Sequence, residues 1–244
     1  MNNRNNNGLW VFLFLFVGVF MVIPLISSCG KSSSANAATL NIQYQVINLS
    51  PDLGSIDLYI NYIKVNKGSY FYPSSSGYFY LPSVTNPFQI RPGTSAITGT
   101  VISTGNYFSI DSVLKPNYKY TLFIAGLKSV DSVTYLFTTD TANLPSIGRG
   151  KIRFINASPR SQGFDITANG TPAFVSQKYL QPSKFREFPA GTYDFQIFPA
   201  GTKTLLKDLP NITIQDGRAY TVYTYGLAGH TDSLAFGAGT ITNK

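Results

Sequence analysis

Apolar and polar residues alternate with a period of two along several short stretches of this chain, and the stretches recur in the same order. In residues 55–60 (SIDLYI), Ile56, Leu58 and Ile60 fall on one face, while Asp57 and Tyr59 face the other way, with Asn61 next in line. Residues 164–169 (FDITAN) repeat the pattern, with Phe164, Ile166 and Ala168 inward and Asp165, Thr167 and Asn169 outward. Asn169-Gly170 then predicts a two-residue hairpin turn, because both central positions of that turn need a positive φ. Residues 118–124 and 220–225 read as further strands. Pro and Gly punctuate the chain every eight to twelve residues, and no amphipathic helix longer than a turn or two is found. The pattern predicts an all-β protein.

The recurrence is a duplication. VINLSP at residues 46–51 reappears as FINASP at 154–159, so that Asn48 aligns with Asn156 and Pro51 with Pro159. At the same spacing Asp57 meets Asp165 and Asn61 meets Asn169. Phe88-Gln89-Ile90 later matches Phe195-Gln196-Ile197, Tyr120-Thr121 matches Tyr220-Thr221, and Gly126-Leu127 matches Gly226-Leu227. Collinear blocks with small length changes describe two copies of a unit of roughly 100 residues, a domain rather than a solenoid repeat. The expected division is 39–147 and 148–244, each an immunoglobulin-like β-sandwich, joined by a short polar segment containing Pro145 and Gly148. Asn48, Pro51, Asp57, Asn156, Pro159 and Asp165 are read as structural signatures of the repeat. The Asn side chains would cap the turn, Pro would set its φ, and the Asp side chains would bond turn amides.

The beginning of the chain departs from this pattern. A polar start with one cation, Arg4, precedes eighteen nearly uninterrupted apolar residues, 9–26, and then Ser27-Ser28-Cys29. Residues 1–28 read as a secretory signal. Ile26-Ser27-Ser28-Cys29 resembles the lipobox of bacterial lipoproteins, and the resemblance implies cleavage before Cys29, a diacylglycerol thioether on its sulfur and acylation of its new amine. Several acyl chains anchor firmly where one binds only reversibly. The competing reading is an uncleaved transmembrane anchor, for which eighteen residues is near the lower limit. Cys29 is the only cysteine, so the exported body forms no disulfide. Residues 29–38 then form a flexible tether. The expected address is the cell envelope, with the outer membrane favoured and its face left open.

Composition narrows the chemistry. Charged residues are 12% of the chain and the net charge is +8, with Lys and Arg scattered singly, so no nucleic-acid-binding stripe is present. There is one histidine, His230, and one glutamate, Glu187, and neither Asp232 nor any Asp pair makes a convincing triad, dyad or calcium loop with them. No metal, cofactor or catalytic residue is expected, and the chain is read as a non-enzyme.

Arg153-Phe154-Ile155-Asn156-Ala157-Ser158-Pro159, Asp165, Pro189-Ala190-Gly191-Thr192-Tyr193, Pro199-Ala200-Gly201 and Tyr220-Thr221-Val222 with Gly226 together resemble the bacterial domain-of-unknown-function family 4397. Copy one departs from that pattern at Pro82-Ser83-Val84-Thr85 and Arg91-Pro92-Gly93. The resemblance implies exported, often tandem β-sandwich domains on envelope lipoproteins, and it supplies no catalytic residue or ligand.

Two local features remain. Tyr70, Tyr72, Tyr78 and Tyr80 crowd two segments of copy one, and either form an exposed aromatic platform or pack between domains or over a core edge. Ser112, Ser132, Thr141 and Ser233 each follow an Asp and precede an aliphatic or small residue, which resembles an O-glycosylation motif of exported proteins. The function expected is a membrane-anchored module that binds a glycan or a protein partner. The alternatives are a structural spacer or accessory subunit of an outer-membrane complex and, further off, an unrecognised hydrolase. Cys29→Ser is expected to abolish lipid attachment and signal cleavage, read as the loss of the acylated mature mass.

Overall fold

The computed structural model describes residues 40–93 and 105–243. Cys29, the signal segment and the tether lie outside the described residues. Copy one contributes β1 (Gln43–Asn48), β2 (Ile56–Ile60), β3 (Ile63–Lys64), β4 (Ser74–Ser75), β5 (Phe79–Tyr80), β6 (Phe88–Pro92), β7 (Phe108–Ile110), β8 (Lys119–Ala125) and β9 (Thr134–Thr139). Copy two contributes β10 (Arg149–Asn156), β11 (Phe164–Ala168), β12 (Thr171–Gln177), β13 (Arg186–Pro189), β14 (Gly191–Pro199), β15 (Lys207–Ile214), β16 (Ala219–Tyr225) and β17 (Gly237–Thr242).

The all-β expectation holds, and each copy is a two-sheet sandwich. In copy one β4 and β5 flank β1, followed by β8 and β9, and the second sheet runs β3-β2-β6-β7. Copy two repeats the plan as β13-β10-β16-β17 and β12-β11-β14-β15. The architecture is the immunoglobulin-like one of two packed sheets, but the connectivity is different. In an immunoglobulin constant domain the first two strands share a sheet. Here they lie on opposite sheets, and the first strand pairs in parallel with the second-to-last strand of its unit, β1 with β8 and β10 with β16.

The predicted turns form as the residue types require. Asn169 and Gly170 have φ of 49° and 76° and join β11 to β12, and in copy one Asn61 and Tyr62 take the same left-handed pair at 48° and 66°. The motif that opens each copy ends the first strand and caps the turn after it. Asn48 Oδ1 accepts the Ser50 amide at 3.2 Å, and Asn156 Oδ1 accepts the Ser158 amide at 3.0 Å. The serine hydroxyls then donate to Gly126 O and Gly226 O, tying each turn to the end of β8 or β16.

Alternate residues of the inner sheets explain the arrangement of the two copies. Tyr44, Val46, Leu122 and Ile124 point into the first core, with Ile56, Leu58, Phe88 and Ile90 from the opposite sheet. Ile152, Phe154, Tyr220 and Val222 do the same in the second. The intervening residues, Ile47, Leu49, Phe123 and Ala125 from copy one and Ile155 and Ala157 from copy two, form a third apolar cluster shared by both copies. Phe123 and Tyr223, which occupy equivalent positions, meet at a ring separation of 6.1 Å. The inner sheets are therefore buried on both faces, and the interface is pseudo-symmetric: equivalent residues face one another, as in a twofold dimer. Each fully buried aliphatic or aromatic side chain there stabilises by roughly 1.5–3 kcal/mol. In β17, Gly237 and Gly239 lie under the rings of Tyr225 and Tyr223, and a Cβ at Gly237 would come within 2.3 Å of the Tyr225 ring.

The other end of the interface is polar. Arg153 forms a buried ion pair with Asp140, a residue of the joining segment that is fully buried. Its guanidinium also donates to Thr221 Oγ1 at 2.8 Å, Thr138 Oγ1 at 3.1 Å and Thr139 O at 3.1 Å. Asp140 accepts from Thr121 Oγ1 at 2.5 Å and Thr138 Oγ1 at 3.0 Å. Strand register makes Gln45 the counterpart of Arg153, since they pair with Thr121 and Thr221. Asp140 and Asn243 are counterparts too, their amides donating to Lys119 O and Ala219 O just past the edge strands. One copy thus carries the cation and the other the anion.

Removing one member of a buried, hydrogen-bonded pair strands the other in a low-dielectric site. Arg153→Met is expected to lower the unfolding free energy by about 3–5 kcal/mol in urea melts. Adding Asp140→Leu is expected to recover part of that loss, because it removes the stranded carboxylate, while Tyr78, Thr121 and Thr138 each lose one acceptor.

Candidate functional site

The four tyrosines singled out in copy one do not form one surface. Tyr70 bridges to Ile56 and packs against the first core. Tyr72 meets Tyr225 of copy two edge to face at 5.7 Å. Tyr78 reaches into the polar interface, donating to Asp140 Oδ2 at 2.7 Å and accepting from Asn243 Nδ2 at 3.0 Å. Tyr80 alone of the four is exposed, at 61%. Close packing of the inner sheets recruits Tyr72 and Tyr78 as interface residues, so the packing alternative describes these two and, at the core edge, Tyr70.

The signature Asp residues behave differently in the two copies. Asp165 accepts the turn amide of Gly201 at 2.8 Å, as expected, and also the amide of Ser176 in β12 at 2.7 Å. Asp57 was expected to face outward and bond turn amides, yet it is fully buried. The β2–β3 hairpin folds over it, and Lys64 Nζ at 2.7 Å and Asn66 Nδ2 at 2.8 Å take its carboxylate.

That difference opens a site. On the outer face of copy one, Arg91 lies over the Tyr59 ring at 4.3 Å, beside Asp57 and Lys64. In copy two the smaller Thr167 stands where Tyr59 does, and Phe198 stands opposite Asp165 where Arg91 pairs with Asp57. A groove of about 500 Å³ results, lined among others by Asp165, Thr167, Pro172, Val175, Phe198 and Lys203. Val175 is 61% exposed in it, and the buried Thr167 hydroxyl has no hydrogen-bond partner among the described residues. An apolar floor with a few polar groups is the usual make-up of a ligand site. The sequence signal was available in the outward positions that differ between the copies, Tyr59 against Thr167 and Arg91 against Phe198, but alternation alone does not say which of them matter.

A family model described as Domain of unknown function (DUF4397) matches residues 43–162 and 150–238. The chain belongs to this family. The two DUF4397 matches overlap over residues 150–162, from β10, which carries Arg153, into the turn that FINASP enters. A comparison with curated proteins found no match.

The remaining candidate chemistry is dispersed. His230 Nδ1 lies 3.4 Å from Asp232 Oδ1 in an exposed loop. Among the described residues no group of three His, Cys, Asp or Glu side chains could hold a metal ion, and no helix is long and apolar enough to cross a membrane. Of the four hydroxyls in Asp-Ser/Thr motifs, Ser132 bonds Leu127 O and Thr141 accepts the Lys119 amide, while Ser233 lies exposed in the loop before β17. Ser112 is half-buried, its amide donating to Asn86 Oδ1. Asp140, which precedes Thr141, is held in the interface and cannot serve as part of an accessible recognition motif.

Burial, and then the Asp140 carboxylate, raises the Tyr78 pKa above its ordinary value of 10.0. A phenol whose folded pKa is raised stabilises fully below its unfolded value, and that contribution is lost as pH rises through the folded value. Burial also pushes Tyr72 and Tyr179 up to about 12. The alkaline limb is therefore shared. Urea melts from pH 8 to pH 11 are expected to show stability falling above pH 10. Tyr78→Phe is expected to cost about 1–3 kcal/mol at pH 8 and to shallow that fall without removing it.

Proposed function

We propose that this protein is a lipid-anchored, non-enzymatic binding module of the bacterial cell envelope, with its glycan-binding surface on copy two. The observation that carries the reading is the groove between Thr167 and Phe198. It is open and mostly apolar, Asp165 and Lys203 stand at its polar margin, and Thr167 has a buried hydroxyl without a partner among the described residues. Sugar rings present an apolar face and a hydroxyl edge, which suits such a floor and margin. The lipobox-like sequence before Cys29 supports the anchor and the envelope address, with the outer membrane as the expected site. Membership of a family of unknown function supports neither a reaction nor a partner.

A second reading, a rigid spacer or accessory subunit, is favoured by the interface itself. Two sandwiches joined through a shared apolar cluster and a buried ion pair transmit position from an anchor to a distant face. The readings separate at the groove. Thr167→Tyr, which installs the copy-one residue, and Phe198→Ala are each expected to weaken retention on a panel of envelope and host polysaccharides at least tenfold, about 1.4 kcal/mol, with unchanged melting curves. Retention of crosslinked protein partners without any polysaccharide would favour the spacer reading. Protease digestion of a tag placed after Lys244 on intact cells, beside a periplasmic control, reports which face of the membrane carries the groove.

A further inference from the structure

The two copies act as controls for one another at the loop end of each sandwich. In copy one Asp52 follows Pro51, and its two carboxylate oxygens accept the backbone amides of Lys128 at 2.7 Å and Ser129 at 2.8 Å. Partial burial works to raise its pKa, but the bonds from Ser129 and Lys128 outweigh it and hold the carboxyl below the usual range. The first domain thus supplies a carboxylate to its own loop.

Copy two keeps the frame and removes the carboxylate. Pro159 replaces Pro51, and Arg160 stands where Asp52 does. The frame is anchored the same way, by Ser158 Oγ to Gly226 O at 2.6 Å where copy one has Ser50 Oγ to Gly126 O at 2.9 Å. The loop residues that match Lys128 and Ser129 are Ala228 and Gly229, both exposed, and no side chain among the described residues accepts from their amides. Beside them lies a cavity of about 130 Å³, lined among others by Ser158, Arg160, Ser161, Ala228 and His230. The cation at this place is Arg160, which has no ionic partner among the described residues, and the His230 ring beside it faces Asp232 at 3.4 Å. No acidic side chain lines the cavity.

We propose that this cavity binds a carboxylate group supplied by a ligand, the chemistry that copy one provides from within. Replacing Asp52 by its counterpart Arg160 exchanges an anion for a guanidinium, whose planar fork matches a carboxylate in two parallel hydrogen bonds. Unpaired backbone amides of a turn add donors of the same polarity. A water molecule occupies about 30 Å³, so the cavity has room for a carboxylate and the atoms that carry it. The site is separate from the groove at Thr167 and does not depend on the role proposed for it.

The test is a titration of the full chain with sodium glucuronate and, separately, with N-acetylglycine, at constant ionic strength, following the amide resonances of Ala228, Gly229 and His230. Saturable shifts are expected at millimolar ligand with at least one of the two. A response to glucuronate alone identifies an acidic sugar, a response to N-acetylglycine alone a peptide carboxyl terminus, and a response to both the bare carboxylate. Arg160→Asp rebuilds the copy-one arrangement, and is expected to abolish the response while keeping or raising the melting temperature. Arg160→Ala is expected to weaken binding about tenfold. Shifts that fail to saturate, or that persist unchanged in both variants, would overturn the proposal.

Discussion

Arg153 and Asp140 are held out of water between two β-sheets, and the chain around them is organised to make that tolerable. Taking two charges into a low-dielectric interior costs more than their attraction returns unless the remaining donors and acceptors are satisfied. Here three threonines, a backbone carbonyl and Tyr78 complete the set. These groups come from both sandwiches and from the segment that joins them. The network can therefore exist only when β1 and β8 lie against β10 and β16, and the apolar cluster of Ile47, Phe123 and Ile155 beside it supplies the burial that brings them there. Asp140 reaches this point because it directly follows β9, where its amide bonds Lys119 O.

The divergence of the two copies acquires a physical meaning from this arrangement. A symmetric interface would have placed like residues opposite one another, two cations or two anions. Gln45 against Arg153 and Asn243 against Asp140 avoid that and leave one complementary pair. Away from the interface the same kind of divergence separates a closed domain from an open one. Copy one fills its outer face with Tyr59, Arg91 and Lys64 and its loop with Asp52. Copy two has Thr167, Phe198 and Arg160 in the corresponding places, and a groove and a cavity stand where those side chains would be.

Much of this was visible in one dimension. Alternation in 55–60 and 164–169, the Asn169-Gly170 turn and the serine and asparagine caps of VINLSP and FINASP are local properties, decided by side-chain period and by backbone φ. They placed the strands and the turns correctly. The tyrosines were harder to place because an outward position on a strand is a statement about one sheet only. Tyr78 and Tyr72 point away from their own core and into another domain. Asp57 met the same difficulty on a smaller scale, where a hairpin folds back over an outward carboxylate.

By itself, then, the sequence determined what short-range chemistry determines: β-strands, turns, a duplicated unit and its family resemblance, and it raised the expectation of a leader with lipidation at Cys29. It also contained the differences between the copies, but without weights, since a substitution is just a change of letter until its neighbours are known. Tertiary structure decided which differences count. Only packing brings Gln45, Arg153, Asp140 and Asn243 to one place, sets the first strand of each copy in parallel beside β8 or β16, and turns Tyr59 against Thr167 into a filled surface against a groove. The reason is that burial and hydrogen-bond completion are properties of residues distant in the chain, and no local period records them.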